Sequence, residues 1–284
     1  MAFNQIKEYI NRDAGTAGTL LIPKLIMPEL LDEQGKNLIP RELAAKVWSG
    51  FPGSSFDYNM IEEDTLDIDR IAEGAEVPLD AIGYETIEFT PNKYGIAVRI
   101  TREMMEDSQF SLLSENIKIA GRRFAEKETE LILLALDGAN ATTAGGATLT
   151  IANITESMQD LEDSGYNPTD ILIGTEVLND LRNIDTFVEA NKAGNTDMLN
   201  KGFRGNVYGL NVVLFDDRAS PTPGTYKKYA YVLDRSRAYG IALKRDLTME
   251  KVTLPTYDME GAVLTMRIDV QLLRSKAVSK ITTA

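Results

Sequence analysis

Between residues 56 and 136 the chain runs through four short β-type segments and then one long amphipathic helix. Runs 56–61 and 66–72 lead outward to a polar tip, and runs 84–90 and 94–100 lead back. Tyr84, the less apolar Thr86, Phe89, Tyr94, Ile96, Val98 and Ile100 supply the β-branched and aromatic content that strands favour. In 94–100 the alternation is strict, with Tyr94, Ile96, Val98 and Ile100 on one face. A two-stranded ribbon of this length cannot bury enough surface to stand alone. It must lie on something else, and another copy of the same chain is the natural support. That points to an assembly protein.

Composition narrows the choice. The 284 residues make one large domain or two modest ones, and 43% hydrophobic content is enough for a real core. No apolar run reaches the length of a membrane span, and Met1-Ala2-Phe3-Asn4 lacks the basic segment that opens a signal peptide. Cysteine is absent, which excludes disulfides and thiolate metal sites. Histidine is absent too, which removes the usual general base, the usual zinc ligand and the Ser-His-Asp triad. A net charge of −13 argues against a DNA-reading surface, which needs a basic patch. An acidic face can still sit near nucleic acid without adhering to it.

Residues 1–55 read as an irregular arm. Positions 14–18 are flexible, proline interrupts the apolar runs 20–23 and 25–28, and 29–34 make a short turn of helix. The arm either packs on its own domain or embraces a neighbouring subunit. Thr101 opens a helical turn over 102–107, and Ser108 or Ser111 caps a helix from about 112 to 136. Leu113, Ile117, Ala120, Phe124, Leu131 and Ala135 fall on one stripe, with Glu115, Lys118, Arg122, Glu126 and Glu130 largely elsewhere. At 1.5 Å per residue the rod is roughly 37 Å long. Asp137-Gly138 ends it, with Gly138 suited to a left-handed position.

A small-residue loop follows at 139–150, and then an α/β section. It reads as a helix at 154–164 with Met158 and Leu161 inward, a turn at 165–168, a buried strand at 171–173 and a helix at 175–183 capped by Thr175. Residues 184–206 read as a loop and 210–215 as a strand; 216–225 is a loop with two prolines. Further strands are expected at 229–233, 239–243, 247–254, 263–273 and 277–283. No tandem repeat or low-complexity tract occurs.

Nothing in the chain makes a convincing active site, so no catalytic, cofactor-binding or metal residues are expected. Glu62, Glu63, Asp64, Asp67 and Asp69 form the densest acidic cluster, but a Ca²⁺ loop also needs a tight turn and a closing bidentate acid. A solvated or inter-subunit charged face is the better reading. Gly145-Gly146 lacks the Gly-Lys-Ser/Thr ending of a phosphate loop. Asp216-Asp217 follow a buried strand and read as a loop cap or an ion pair to Arg218. Trp48 and the tyrosines look scattered rather than interleaved with basic residues, which argues against a single-strand stacking platform.

The order of elements resembles the major capsid protein family of tailed bacteriophages, whose fold encapsulins and the herpesvirus capsid floor are thought to share. The likeness is carried by Ala17-Gly18-Thr19-Leu20-Leu21-Ile22-Pro23 through Ile26-Met27-Pro28, similar to the family's N-terminal arm. Ile100-Thr101-Arg102-Glu103-Met104-Met105-Glu106-Asp107-Ser108 resembles the lead into its spine helix, and Phe124-Ala125-Glu126-Lys127-Glu128 through Leu136-Asp137-Gly138 the end of that helix. Gly205-Asn206-Val207-Tyr208-Gly209-Leu210-Asn211-Val212-Val213 resembles a run of its axial domain. No single motif is decisive; the co-linear set is what carries the likeness.

The resemblance implies an α+β fold with an N-terminal arm at 1–55 and an extended β-ribbon, the E-loop, at 56–100. It implies a peripheral domain with the spine helix at 101–149, an α/β axial domain at 150–243 and the peripheral sheet at 244–284. The tip of the E-loop, Ala72, Glu73, Gly74, Ala75, Glu76 and Val77, is expected to rest on a neighbouring subunit. The function implied is structural: self-assembly as pentamers and hexamers into an icosahedral virion shell around double-stranded DNA. Assembly would occur in the host cytoplasm, without cofactor, membrane or sequence-specific DNA contact. Portal and decoration proteins are further partners of such shells. Met1 stands only a few residues ahead of the arm-like segment, so scaffolding is expected as a separate protein. An encapsulin-like nanocompartment packaging a protein cargo is the alternative, kept open by a short helix at 3–11.

Some family members weld their shells with isopeptide bonds between an E-loop lysine and a neighbour's asparagine, aided by a buried glutamate. The matching positions here fall at Val77, near Ala262 and near Asp269, and no lysine occurs between Lys46 and Lys93. The shell is therefore expected to be held by non-covalent contacts alone.

Overall fold

Two long strands, β10 (Tyr239–Leu254) and β11 (Met259–Leu272), form the backbone of the architecture. They pair antiparallel from Tyr239↔Leu272 to Leu254↔Met259, with irregularities between Leu243 and Thr248. The structure is a computed structural model; it describes residues 39, 41–61, 70–71, 83–107, 112–139, 141–144, 146, 148–183, 206–215, 217–222 and 224–283. Among these, β1 (Lys46–Ser49) adds in parallel to β10 and β4 (Asn92–Thr101) adds antiparallel to β11, giving the order β1-β10-β11-β4. A second pair, β2 (Phe56–Ile61) with β3 (Tyr84–Phe89), forms the ribbon.

On β11 the alternation is regular: Ala262, Leu264, Met266, Ile268 and Val270 are buried, as the two-residue period of a strand requires. Against this face lies α2 (Leu112–Leu136), preceded by the short α1 (Arg102–Asp107). Both helices have the bounds read from the sequence. Ile117, Ala120 and Phe124 are buried, and Leu113, Leu131 and Ala135 are partly buried beside them. Ile132, Leu133 and Leu136 are buried as well. The stripe widens toward the C-terminal end because that end shares one core with Leu172, Phe215 and Tyr231 of the second sheet.

That second sheet has the order β5-β12-β9-β6-β8-β7. Its strands are β5 (Ala141–Ala144), β6 (Asp170–Ile173), β7 (Asn206–Val207), β8 (Leu210–Leu214), β9 (Tyr229–Leu233) and β12 (Val278–Thr282). Helices α3 (Ile151–Asp163) and α4 (Thr175–Asn183) supply Ile154, Leu161, Val177, Leu178 and Leu181 to its core. β6 is buried along its whole length, as the apolar triplet 171–173 indicated.

The structure departs from the sequence reading at several places. Run 94–100 does not return along the ribbon: it is the outer part of β4 and pairs with β11 from Met259↔Thr101 to Ile268↔Asn92. Pro91 marks the switch, because it has no N–H to offer a ladder. Around it Thr90 N donates to Asp269 at 2.8 Å, and Arg267 donates to the Pro91 carbonyl at 3.1 Å. The small-residue loop at 139–150 contains β5, which gains a parallel partner, β12, from the C-terminal end of the chain. β12 itself joins β9 in the six-stranded sheet, not the long sheet. Gly138 is not left-handed; α2 closes by tightened turns, with Gly138 N donating to Ala135 and Ala139 N to Leu136, both at 3.1 Å. Helix α3 starts three residues earlier than expected because Thr150 and Asn153 form a reciprocal cap. Thr175 is the first residue of α4, and the carbonyl that precedes the helix belongs to Gly174. The segment 1–55 is not irregular throughout, since Lys46–Ser49 within it is β1 and pairs with β10; its residues 1–38, residues 66–69 of the outgoing run, the caps Ser108 and Ser111 and residues 184–205 of the loop lie outside the described residues.

Candidate assembly site

The ribbon is rooted in its own subunit. β2 and β3 pair from Phe56↔Phe89 to Ile61↔Tyr84. At the Phe56 end, Trp48 of β1 faces Phe56, Tyr58 and Phe89 at ring separations of 5.4, 4.7 and 5.2 Å. Phe51 lies 5.3 Å from Phe56. Each such pair adds about 0.5–1.5 kcal/mol beyond area burial. Lys46 sits over Trp48 and Tyr58 at 5.3 and 5.5 Å, and Lys244 over Phe51 at 5.1 Å. Phe89 is fully buried, with Met60, Ala242 and Leu273 around it. Arg274 fastens the other side, donating to the Ile61 carbonyl and to Glu85 at 3.3 Å.

The aromatic residues are thus not scattered. Trp48, Phe51, Phe56 and Tyr58 lie within eleven positions of sequence, and that density was the signal available for this anchor. Density alone does not reveal the anchor, because β1 and β10, which bring Trp48 to the ribbon, meet only in three dimensions. Gly240 on β10 makes the approach feasible: a Cβ there would lie 2.4 Å from the Trp48 ring.

Away from this root the ribbon is open. Ile61 is 59% exposed and its cross-strand partner Tyr84 69% exposed. The expected contact residues Ala72, Glu73, Gly74, Ala75, Glu76 and Val77 lie outside the described residues, as do Glu62, Glu63, Asp64, Asp67 and Asp69. The structure therefore defines the base of the site and the direction in which the chain leaves it.

Two polar nodes hold the frame beneath the ribbon. Arg41 clamps Glu128 in the middle of α2 and reaches Asp246 in the irregular part of β10 at 3.4 Å. The paired carboxylate of Glu128, more than offsetting burial, holds the Arg41 guanidinium still more firmly charged than usual. At the end of α2, Asp137 accepts hydrogen bonds from Lys280 at 2.6 Å, from Tyr231 at 2.9 Å and from Tyr226. Burial opposes its charge, but these three donors prevail and hold its carboxyl below the ordinary value. Burial and the neighbouring Asp137 charge push both tyrosine hydroxyls up. Asp137 thereby ties α2 to β9 and β12.

The remaining sequence candidates have structural places. Asp217 caps its own loop, accepting from Gly224 N at 2.7 Å and Lys227 N at 3.0 Å. Ala262 is buried opposite Val98, and Asp269 accepts from Thr90 and Gln271. Lys93 lies on β4 opposite Arg267, and Val77 is outside the described residues. Among the described residues no group of three acidic side chains is arranged to hold a metal ion, and no helix is long and apolar enough to cross a membrane.

A family model for phage capsid proteins matches residues 84–270, about two thirds of the chain. The chain belongs to the phage capsid protein family. Its fold is that of solved phage capsid chains. A chain from Microbacterium phage Oxtober96 superposes with a TM-score of 0.64 at 15% identity, covering 88% of this chain and 92% of that one. A chain from Mycobacterium phage Che8 gives 0.68 at 15% identity, covering 81% and 85%. A chain from the capsid of cyanophage P-SCSP1u gives 0.64 at 15% identity, covering 85% and 86%. A search of curated proteins finds no match. As a member of this family the protein is a structural subunit of a capsid shell, and its copies associate with one another in the virion capsid.

Proposed function

We propose that this chain is a major capsid protein that assembles through pentamers and hexamers into an icosahedral shell enclosing double-stranded DNA. The observation that carries the reading is the ribbon: rooted by Trp48 at one end, it leaves the body with Ile61 and Tyr84 exposed. Extended edges of this kind need a partner, and a second copy is one that a shell provides. The tip at Ala72, Glu73, Gly74, Ala75, Glu76 and Val77 rests on that neighbour. The chain catalyses nothing; its work is to close a container in the host cytoplasm. A separate scaffolding protein, a portal and decoration proteins are its companions. Packaged DNA touches the shell without sequence-specific contacts, in keeping with the charge of −13. The family match favours this viral shell over a nanocompartment.

Deletion of residues 73–79 tests the reading. The shortened subunit folds, with an unchanged circular dichroism spectrum, but fails to form shells. Normal assembly of the deletion variant would overturn the role given to the tip.

A further inference from the structure

The four-stranded sheet carries a row of like charges. On β11 the residues Ala262, Leu264, Met266, Ile268 and Val270 face α2, so Thr265 and Arg267 face the other way. Lys93 of β4 and Arg245 of β10 stand directly opposite Arg267, one on each side. Opposed residues on neighbouring strands share a face. Three cations therefore lie side by side across about 10 Å of sheet. The row is on the face that carries the root of the ribbon, where Phe89 and Met60 cover Ala242. Like charges set opposite one another destabilise a sheet.

The register of β10 creates this row. Leu243 pairs with Ile268, Arg245 with Arg267 and Thr248 with Thr265, so β10 has an extra residue on each side of Arg245. Irregularities of this kind re-aim side chains. The neighbouring Lys244 is spent on the Phe51 carbonyl. Arg267 uses one of its N–H donors on the Pro91 carbonyl and keeps the others. Arg245 Nε is buried and meets no acceptor among the described residues, and Lys93 is exposed. None of the three cations forms an ion pair among the described residues. Asp269, the next residue along this face of β11, is occupied with Thr90 N and Gln271. On the other side of the row stand Gly95, Thr265 and Thr248, two hydroxyls and a position without a side chain. A buried donor without an acceptor, beside two further cations, is costly unless an anion meets it.

We propose that Lys93, Arg267 and Arg245 form a binding site for a free phosphate ion. Guanidinium forks match the oxygen geometry of a phosphate, and the lysine adds a point charge from the open side. The small row of Gly95, Thr265 and Thr248 leaves room beside the cations. A free phosphate suits the site better than a nucleic-acid phosphodiester: it carries more charge per phosphorus, and it does not bring a polyanion against a chain of net charge −13. All the residues belong to one subunit, so the inference goes beyond the capsid reading and does not depend on it. The row exists only in the folded sheet, so the bound ion stabilises the subunit at the root of the ribbon.

Thermal melts of the dissociated full-length subunit test this, with inorganic phosphate titrated against sodium chloride at matched ionic strength. The melting point of the wild type is expected to rise with phosphate and to saturate, and titration calorimetry should give one site per chain. Arg245→Gln and Lys93→Gln should each weaken that binding by about tenfold or more. Lys93 is exposed, so its variant keeps the fold even if the Arg245 variant does not. Arg99→Gln is the control: Arg99 lies on the same face of β4, opposite Gly261 and roughly 20 Å from Lys93, and its loss should leave the affinity unchanged. A wild type that responds equally to phosphate and chloride would overturn the proposal, since that is screening alone. So would undiminished binding by the Lys93 variant, or an equal loss in the Arg99 control. A short DNA duplex that raises the melting point where inorganic phosphate does not would overturn it in favour of nucleic acid.

Discussion

Arg41 grips both carboxylate oxygens of Glu128, its Nε at 2.6 Å and its Nη2 at 2.9 Å. The pair joins the later part of the segment 1–55 to the middle of α2, 87 residues away in sequence. Glu128 is fully buried, whereas Arg41 keeps some exposure and a second partner in Asp246. The two ends of the pair are therefore not equivalent. Arg41→Ala leaves a buried charge uncompensated and should destabilise the dissociated subunit by about 3–5 kcal/mol. Glu128→Gln should cost less, because Arg41 can still reach Asp246 and water. Urea denaturation of both variants measures the difference; equal losses would contradict the asymmetry.

Trp48 is the only tryptophan, so its fluorescence reports the root of the ribbon alone. If the root is already formed in the subunit, its emission should change little on assembly. Gly240→Ala places a methyl where the ring now lies, 2.4 Å from it, and must push the ring out. Overpacking of this kind costs about 1–3 kcal/mol, and the emission should shift to the red even in the unassembled subunit. A large emission change on wild-type assembly would show instead that the root forms only in the shell.

What the sequence made legible was local. The bounds of α1 and α2 and the buried strand at 171–173 follow from spacing and end signals that act over a few residues. What it hid was pairing. Nothing near Tyr94 says that β4 belongs to β11, since strict alternation fits a ribbon and a sheet edge equally well. Pro91 was the available warning. In the same way Ala141–Ala144 carries no strand signal of its own and is extended because β12 lies beside it. At the candidate site the ribbon was legible as a structure in need of support. Its anchor was not, because Trp48 reaches Tyr58 by way of β10.

Asp137 gives the protein an acid-sensitive joint. Its folded pKa lies below the ordinary carboxyl value of 3.8. The stability it contributes is therefore complete above that value and is lost as pH falls through the lower folded value. Asp137→Asn removes a carboxylate that Lys280, Tyr226 and Tyr231 share, at a cost of about 1–3 kcal/mol near neutral pH. The gap between wild type and variant should narrow as the pH drops below about 4. Thermal melts across an acid series check this; a gap that widens on acidification would contradict the sign.

The shell should contain no covalent weld. No lysine lies between Lys46 and Lys93, Ala262 has no amide side chain, and Asp269 is occupied with Thr90. Particles boiled in detergent should run as one chain of 31.4 kDa. A ladder of oligomers on that gel would contradict the prediction.

The central claim is that this chain closes into a container built from many copies of itself. Electron microscopy of the purified protein, with the mass of the particles measured in the same solution, tests it most directly. The account predicts closed shells or capsomer rings in which the ribbon is ordered against a neighbour. A protein that stays monomeric at every salt and concentration tried would contradict it.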